Sequence, residues 1–492
     1  MQSVGSTTKA LPEYDYTVAK LFLFTTLIFG IVGMLIGVIL AFQMAAPSLN
    51  YLAGEFGTFG RLRPLHTNGI IYGFTLSGIW AGWYYFGQRV LKISYYEHPF
   101  LRIVGLLHFW VYLALMVLAV LSLFAGMTQS KEYSELVWPL DLLVVVVWVL
   151  WGISLFGSMA VRREQTVYIS LWYFMATFVA IAALYIFNNL SIPTYFVAGT
   201  GDIFHSISFY AGTNDAMVQW WFGHNAVAFV FTSAVIGLIY YFLPKESGQP
   251  IFSYKLTLFS FWSLIFVYVW AGGHHLIYST VPDWMQTLGS VFSVVLILPS
   301  WGTAVNMLLT MRGQWDQLAR SPLIKFLVLA STWYMLATLE GPIQSVKSVN
   351  ALAHFTDWII GHVHDAALGW VAFTIIAAVY HMTPRLFKRE IYSSLMDMQF
   401  WIQTAGIVLY FSSMWIAGIT QGMMWRATDS FGTLIYSFID TVNVLIPYFY
   451  IRAIGGLLYL VGFLMFTYNI IMTITAAKQT DAESKFATPM AG

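Results

Sequence analysis

Twelve stretches of this chain run for about 20 residues or more with almost no charge, the length a helix needs to cross the hydrocarbon of a bilayer. Their approximate spans are 18–45, 65–87, 101–125, 138–160, 166–188, 216–243, 254–278, 287–310, 323–341, 357–382, 399–420 and 446–475. A backbone in lipid must bond to itself, so stretches of this kind become helices. The expected fold is therefore an all-α integral membrane protein with twelve transmembrane helices. Only 9% of the residues are charged, against about 25% in a soluble domain, so no soluble surface could be covered. The net charge of +1 argues neither for nor against nucleic acid. The first twenty residues are polar, so no cleavable signal is expected. No separate soluble domain, repeat or linker stands out. Residues 1–492 read as a single membrane domain, with a polar tail after Ala476.

Twelve crossings put both termini on one side. Of the 23 Lys and Arg, all but Arg61, Arg63, Lys131, Lys347, Arg426 and Arg452 then fall on that side, Lys9 and Lys485 among them. The positive-inside rule makes it the cytoplasm. The absence of cysteine excludes disulfides, iron–sulfur clusters, covalent c-type haem and thiolate copper.

Six of the eleven histidines share one depth. His66 opens the second stretch and His224 lies early in the sixth. His274 and His275 close the seventh after Gly272 and Gly273, and His362 and His364 open the tenth. Given the alternating directions of the helices, all six fall in the outer half of the membrane. Ionisable groups at that depth point to function. Residues i and i+2 on a helix diverge by about 200°, so His362 and His364 suit two planar cofactors flanking one helix. His274 and His275 diverge by about 100°, and the glycines before them could loosen the turn until both reach one ion. With His224 they form a three-imidazole site suited to copper or zinc. His66 would pair across the bundle with one of the tenth-helix histidines at a bis-histidine haem, leaving the other as sole protein ligand of a second haem. His98, His108, His205 and His381 read as packing residues.

With these residues in view, the chain resembles the catalytic subunit of a haem–copper oxygen reductase, and within that group the cbb3-type cytochrome c oxidases. The likeness rests on Arg61-Leu62-Arg63-Pro64-Leu65-His66-Thr67-Asn68, on Trp270-Ala271-Gly272-Gly273-His274-His275, and on His354-Phe355-Thr356-Asp357-Trp358 leading into Gly361-His362-Val363-His364. The resemblance implies a twelve-helix haem–copper oxidase bundle in the bacterial inner membrane. It implies low-spin haem b on His66 and His364, high-spin haem b3 on His362, and copper on His224, His274 and His275. The partners it implies are membrane-anchored mono-haem and di-haem c-type cytochromes and a small single-helix subunit.

Many haem–copper oxidases carry a tyrosine four residues after the first copper histidine, and nitric oxide reductases tend to carry a glutamate there. Here the position is Ala228. The cbb3 group takes its tyrosine from the seventh helix, six residues before the His pair, which is Tyr268. The resemblance gives it a redox role and a cross-link to His224. Tyr254 and Thr257 lie within roughly 40° of its helical stripe, and Thr232, Tyr240 and Tyr241 could join a proton path from the cytoplasm. Taken alone, such a stripe reads more often as helix packing, and it is the family's cytoplasmic proton channel that raises the proton-path reading. Glu340 lies at the depth of the histidines, where the family places a glutamate near the active site. Glu132 and Glu135 read on their own as solvated loop carboxylates, whereas the family sets such a pair beside haem propionates and calcium. Arg63 and His354 are further candidates to meet propionates.

The reaction implied is reduction of O2 to water with electrons from c-type cytochromes, coupled to proton translocation. Two rivals stand beside it. A nitric oxide reductase would hold iron in place of copper, and a twelve-helix metal or proton transporter would hold no haem.

Overall fold

The computed structural model describes residues 12–198, 203–391 and 393–476. Lys9, Lys485 and the tail beyond Ala476 lie outside them. Among the described residues, eleven helices are long and apolar enough to cross a membrane: Thr17–Ala45, Pro99–Ala125, Trp138–Ala160, Ile169–Asn188, Thr213–Ser247, Tyr254–Leu276, Asp283–Thr310, Pro322–Ser345, Asp357–Phe387, Ser394–Arg426 and Phe438–Thr475. A twelfth, over 59–91, runs unbroken between the first two of these. Its first turns carry Arg61, Arg63 and His66, which makes it less apolar than the others. In chain order it is the second span, and the count expected from the sequence stands at eleven plus this one. Most spans are a few residues longer than their apolar runs, because polar residues finish the end turns. A two-stranded antiparallel ribbon, Ser191–Pro193 against Ser206–Ser208, lies between the fifth and sixth spans.

The spans are not equivalent. The inner halves of the second, sixth and tenth pack against one another at the centre, and their residues are buried almost without exception. Trp80, Trp83, Tyr84 and Tyr85 fill this core from the second span, Val235 to Leu243 from the sixth, and Phe373 to Met382 from the tenth. A helix that is apolar all round belongs in such a place. The other spans present one face to this core and leave residues such as Ile28, Trp110, Val149 and Trp262 exposed to the surroundings, as a lipid-facing surface requires.

The same three spans share a backbone departure. Each contains a π-helical stretch: Gly69–Thr75, Ala228–Ser233 and Asp365–Ala372. Each stretch follows within four residues of a histidine singled out above, His66, His224 or His364. Such widened turns concentrate at functional sites. The seventh span departs in the other direction, tightening into a 3₁₀ turn over Gly272–Leu276 that carries His274 and His275.

Candidate metal centre

Three imidazoles meet where the sixth and seventh spans approach the eighth. The ligand nitrogens of His224, His274 and His275 all lie within 4.8 Å of one another. The close approach depends on glycine. A side chain at Gly272 would collide with the backbone of Trp220, and one at Gly289 with the backbone of Gly273 and His274. The indole of Trp220 stacks on His275 with ring centroids 3.9 Å apart. Ser293 gives its hydroxyl proton to the Gly289 carbonyl at 2.6 Å, so it accepts from Nδ1–H of His274, also at 2.6 Å. That arrangement leaves Nε2 of His274 as a free lone pair, the form a metal ligand needs. His224 Nε2 is buried with no hydrogen-bond partner at all. Three imidazole donors brought this close suit a copper or zinc ion.

These histidines line a cavity of about 900 Å³ together with Tyr268, His354 and His362. Glu340 reaches His362 from the ninth span, its Oε2 3.3 Å from Nδ1 of the ring. The same carboxylate accepts from the indole of Trp358 at 2.6 Å and from the amide of Gln344 at 3.4 Å. Asp365 is fully buried nearby, with no hydrogen-bond partner for either oxygen, and its carboxylate joins Glu340 and His362 in a second tight cluster. His362 therefore has its outer nitrogen anchored, as expected of the axial ligand of a planar cofactor.

On the far side of the tenth span, His364 faces His66. Their rings are parallel to within 8°, with centroids 6.3 Å apart. That spacing suits two imidazoles on either side of one metal ion, each bound at about 2 Å. Each Nδ1 lies 2.8 Å from a backbone carbonyl, Gly33 for His66 and Ile360 for His364. Both rings are thereby set in the tautomer whose Nε2 is free to coordinate. Gly37 makes room for His66, since a side chain there would strike the ring.

The Tyr268 hydroxyl donates to Thr232 Oγ1 at 3.3 Å, and its ring centroid is 5.9 Å from that of His224. Further inward, Asn306 donates to Thr257 Oγ1 at 2.7 Å and to the Tyr240 hydroxyl at 3.4 Å. Buried hydroxyls of Ser300, Thr303 and Tyr334 lack hydrogen-bond partners. Asn306, Ser300 and Thr303 belong to the eighth span and Tyr334 to the ninth, so a reading of the sixth and seventh helices missed them. Their buried polar groups inside apolar runs were the available signal. Two expected members fall outside this network. Tyr241 turns its hydroxyl to Arg89, whose guanidinium donates to it at 3.1 Å and to the Tyr16 hydroxyl at 3.0 Å. Tyr254 is 44% exposed at the first turn of its helix.

In the outer loops, Arg63 pairs with Glu132, and Glu135 accepts from Asn68 at 2.9 Å. The alternative of two solvated loop carboxylates does not describe Glu135, which is buried; its Oε1 has no partner, and burial raises its pKa against the pull of Asn68. Neither glutamate joins a cluster of three potential metal ligands among the described residues. His354, its ring stacked on Phe355, has its pKa lowered by partial burial. Of the remaining histidines, His108 bonds Tyr84 at 3.0 Å and His381 pairs with Glu246, both far from the cavity lining.

Comparison with known proteins places this geometry. The family model for cytochrome C and quinol oxidase polypeptide I matches residues 17–458. The chain is 44% identical to a cbb3-type cytochrome c oxidase subunit, CcoN1, of Stutzerimonas stutzeri over 473 residues, 96% of this chain and 97% of that one. It is 43% identical to cytochrome c oxidase subunit 1 of Rhodobacter capsulatus, over 98% of this chain and 89% of that one. A solved structure of a heme–copper terminal oxidase dimer matches with a TM-score of 0.72, over 94% of this chain and 85% of that one. At 16% identity that last likeness speaks for the fold alone.

Proposed function

The chain belongs to the cytochrome c and quinol oxidase polypeptide I family, among its cbb3-type catalytic subunits, and from that premise we propose how its own residues carry the reaction. A subunit of this kind is the catalytic part of a multi-subunit terminal oxidase with haem and copper cofactors, and it crosses the membrane many times. The reaction is reduction of O2 to water with electrons from c-type cytochromes, coupled to transmembrane proton movement. The observation that carries the assignment of residues is the convergence of three imidazoles, with one ligand nitrogen of each within 4.8 Å of the others, in one cavity with His362.

In this reading His224, His274 and His275 hold copper, His362 holds high-spin haem b3, and His66 with His364 holds low-spin haem b. Haem and copper supply electron transfer and the reduction of O2. The protein orients the ligands and handles protons. Ser293 and the two backbone carbonyls fix imidazole tautomers, and Glu340 anchors His362. Tyr268 would contribute one electron and the proton of its hydroxyl, and its ring neighbours that of His224, the partner of the proposed cross-link. Protons reach Tyr268 from the cytoplasm through Tyr240, Thr257, Asn306 and Thr232, with the buried hydroxyls of the eighth and ninth spans completing the path. Arg63 and His354 would meet haem propionates, and a calcium ion would take Glu135 through its unpartnered Oε1 together with Glu132. The whole chain is one membrane domain, seated in the bacterial inner membrane with both termini cytoplasmic. Its partners are membrane-anchored mono-haem and di-haem c-type cytochromes and a small single-helix subunit.

The deciding experiment is metal and haem analysis of the purified complex, joined to oxygen uptake from reduced c-type cytochrome. This subunit should account for two non-covalent haems and one copper. Iron in place of copper would favour nitric oxide reduction, and a protein free of haem would favour transport.

A further inference from the structure

The ring of His364 is held on one face by an aromatic side chain from another span. Tyr410, in the eleventh helix, stacks on it with centroids 4.5 Å apart and planes 25° from parallel. Tyr410 is itself buried, and the guanidinium of Arg452 in the twelfth helix stands over its ring, 5.7 Å from the centroid. Arg452 is buried too, paired with Asp357 at 3.3 Å and touching Met414 Sδ at 3.4 Å. Asp357 opens the tenth helix, seven residues before His364. The chain of contacts thus leaves the tenth helix at Asp357, passes through Arg452 and Tyr410, and returns to that helix at His364. A buried ion pair is costly to assemble and seldom repays its desolvation in stability alone. A cation over an aromatic face, by contrast, fixes the plane of that face.

An axial imidazole can turn about its metal–nitrogen bond, and its plane sets the direction in which it interacts with the metal d orbitals. One hydrogen bond, Nδ1 to the Ile360 carbonyl, limits that turning for His364. A stacked ring limits it further. The outcome is the 8° angle between the planes of His364 and His66.

We infer that Tyr410, held by Arg452 and Asp357, is a positioning residue that keeps the His364 plane parallel to that of His66. This rests on the reading of His66 and His364 as the ligands of low-spin haem.

Electron paramagnetic resonance of the oxidised holoenzyme tests it, because parallel axial imidazoles give a rhombic low-spin ferric signal and crossed ones a single feature at much higher g. The unmutated enzyme should give the rhombic signal. Tyr410→Leu should move the largest g value upward while low-spin haem absorbance is retained. Tyr410→Phe, which keeps the ring, should hold it in place. Asp357→Asn should give a smaller shift in the same direction, and it serves as the test should Tyr410→Leu not assemble. A crossed-plane signal in the unmutated enzyme would overturn the inference, as would unchanged g values in both Tyr410→Leu and Asp357→Asn. Full low-spin haem in His364→Ala would instead overturn the ligand reading beneath it.

Discussion

One hydroxyl separates tyrosine from phenylalanine, and at position 268 that hydroxyl is buried against Thr232. If it served packing alone, Tyr268→Phe would cost about one hydrogen bond, roughly 1 kcal/mol. A redox role predicts a fully metallated enzyme with almost no oxygen uptake, and near-normal turnover in that variant would end the proposal. Peptide mass spectrometry of the unmutated chain should also find the Tyr268 peptide joined to that of His224. The histidines divide in the same way. His66→Ala should lose low-spin haem absorbance and keep high-spin haem, since His66 lies apart from the three-imidazole cluster. His275→Ala should lose copper and activity with both haems in place; copper at full stoichiometry would move the ligand set elsewhere. These six residues were legible in the sequence because an imidazole is costly in an apolar stretch, and six at one depth answer to a shared set of ligands. Their anchors were not. The carbonyls of Gly33 and Ile360 leave no trace in composition, and Ser293 is one hydroxyl among many.

Spans were located to within about eight residues at their ends, the twelfth starting at Phe438 rather than 446, because length and apolarity govern membrane helices directly. Contacts between spans obey no such simple count, and this is where the expected polar stripe omitted a partner. Helical phase placed Thr257 on the Tyr268 stripe, but its partner Asn306 comes from a different helix. Thr257→Val keeps the side chain's shape and removes the hydroxyl; oxygen uptake should fall at least several-fold with haem content unchanged. Asn306→Leu should act alike, while Tyr241→Phe should leave turnover near normal because that hydroxyl serves Arg89. If all three variants turn over like the unmutated enzyme, the network is packing. The eighth helix also meets the proposed copper ligands, at Gly289. Gly289→Val would push into the backbone of Gly273 and His274, so copper should be lost with haem retained, as metal analysis and absorbance would register.

For the molecule as a whole, sidedness is the clearest expectation, and a chain without cysteine is suited to testing it. A cysteine placed at Thr433, in the loop between the last two spans, should react with an impermeant maleimide from outside intact cells. One at Gln314, between the eighth and ninth, should react only after lysis; the opposite pattern would invert the topology. The widened turns of the second, sixth and tenth spans carry a further consequence. Each additional residue in a helix advances its angular phase by about 100°. Removing one residue from Gly69–Thr75, Ala228–Ser233 or Asp365–Ala372 would therefore leave the span hydrophobic and continuous, yet rotate its outer segment against its inner one. The three stretches would thus act as angular couplings, letting a tightly interlocked inner core and the outer histidines each keep its own azimuth on a single rod.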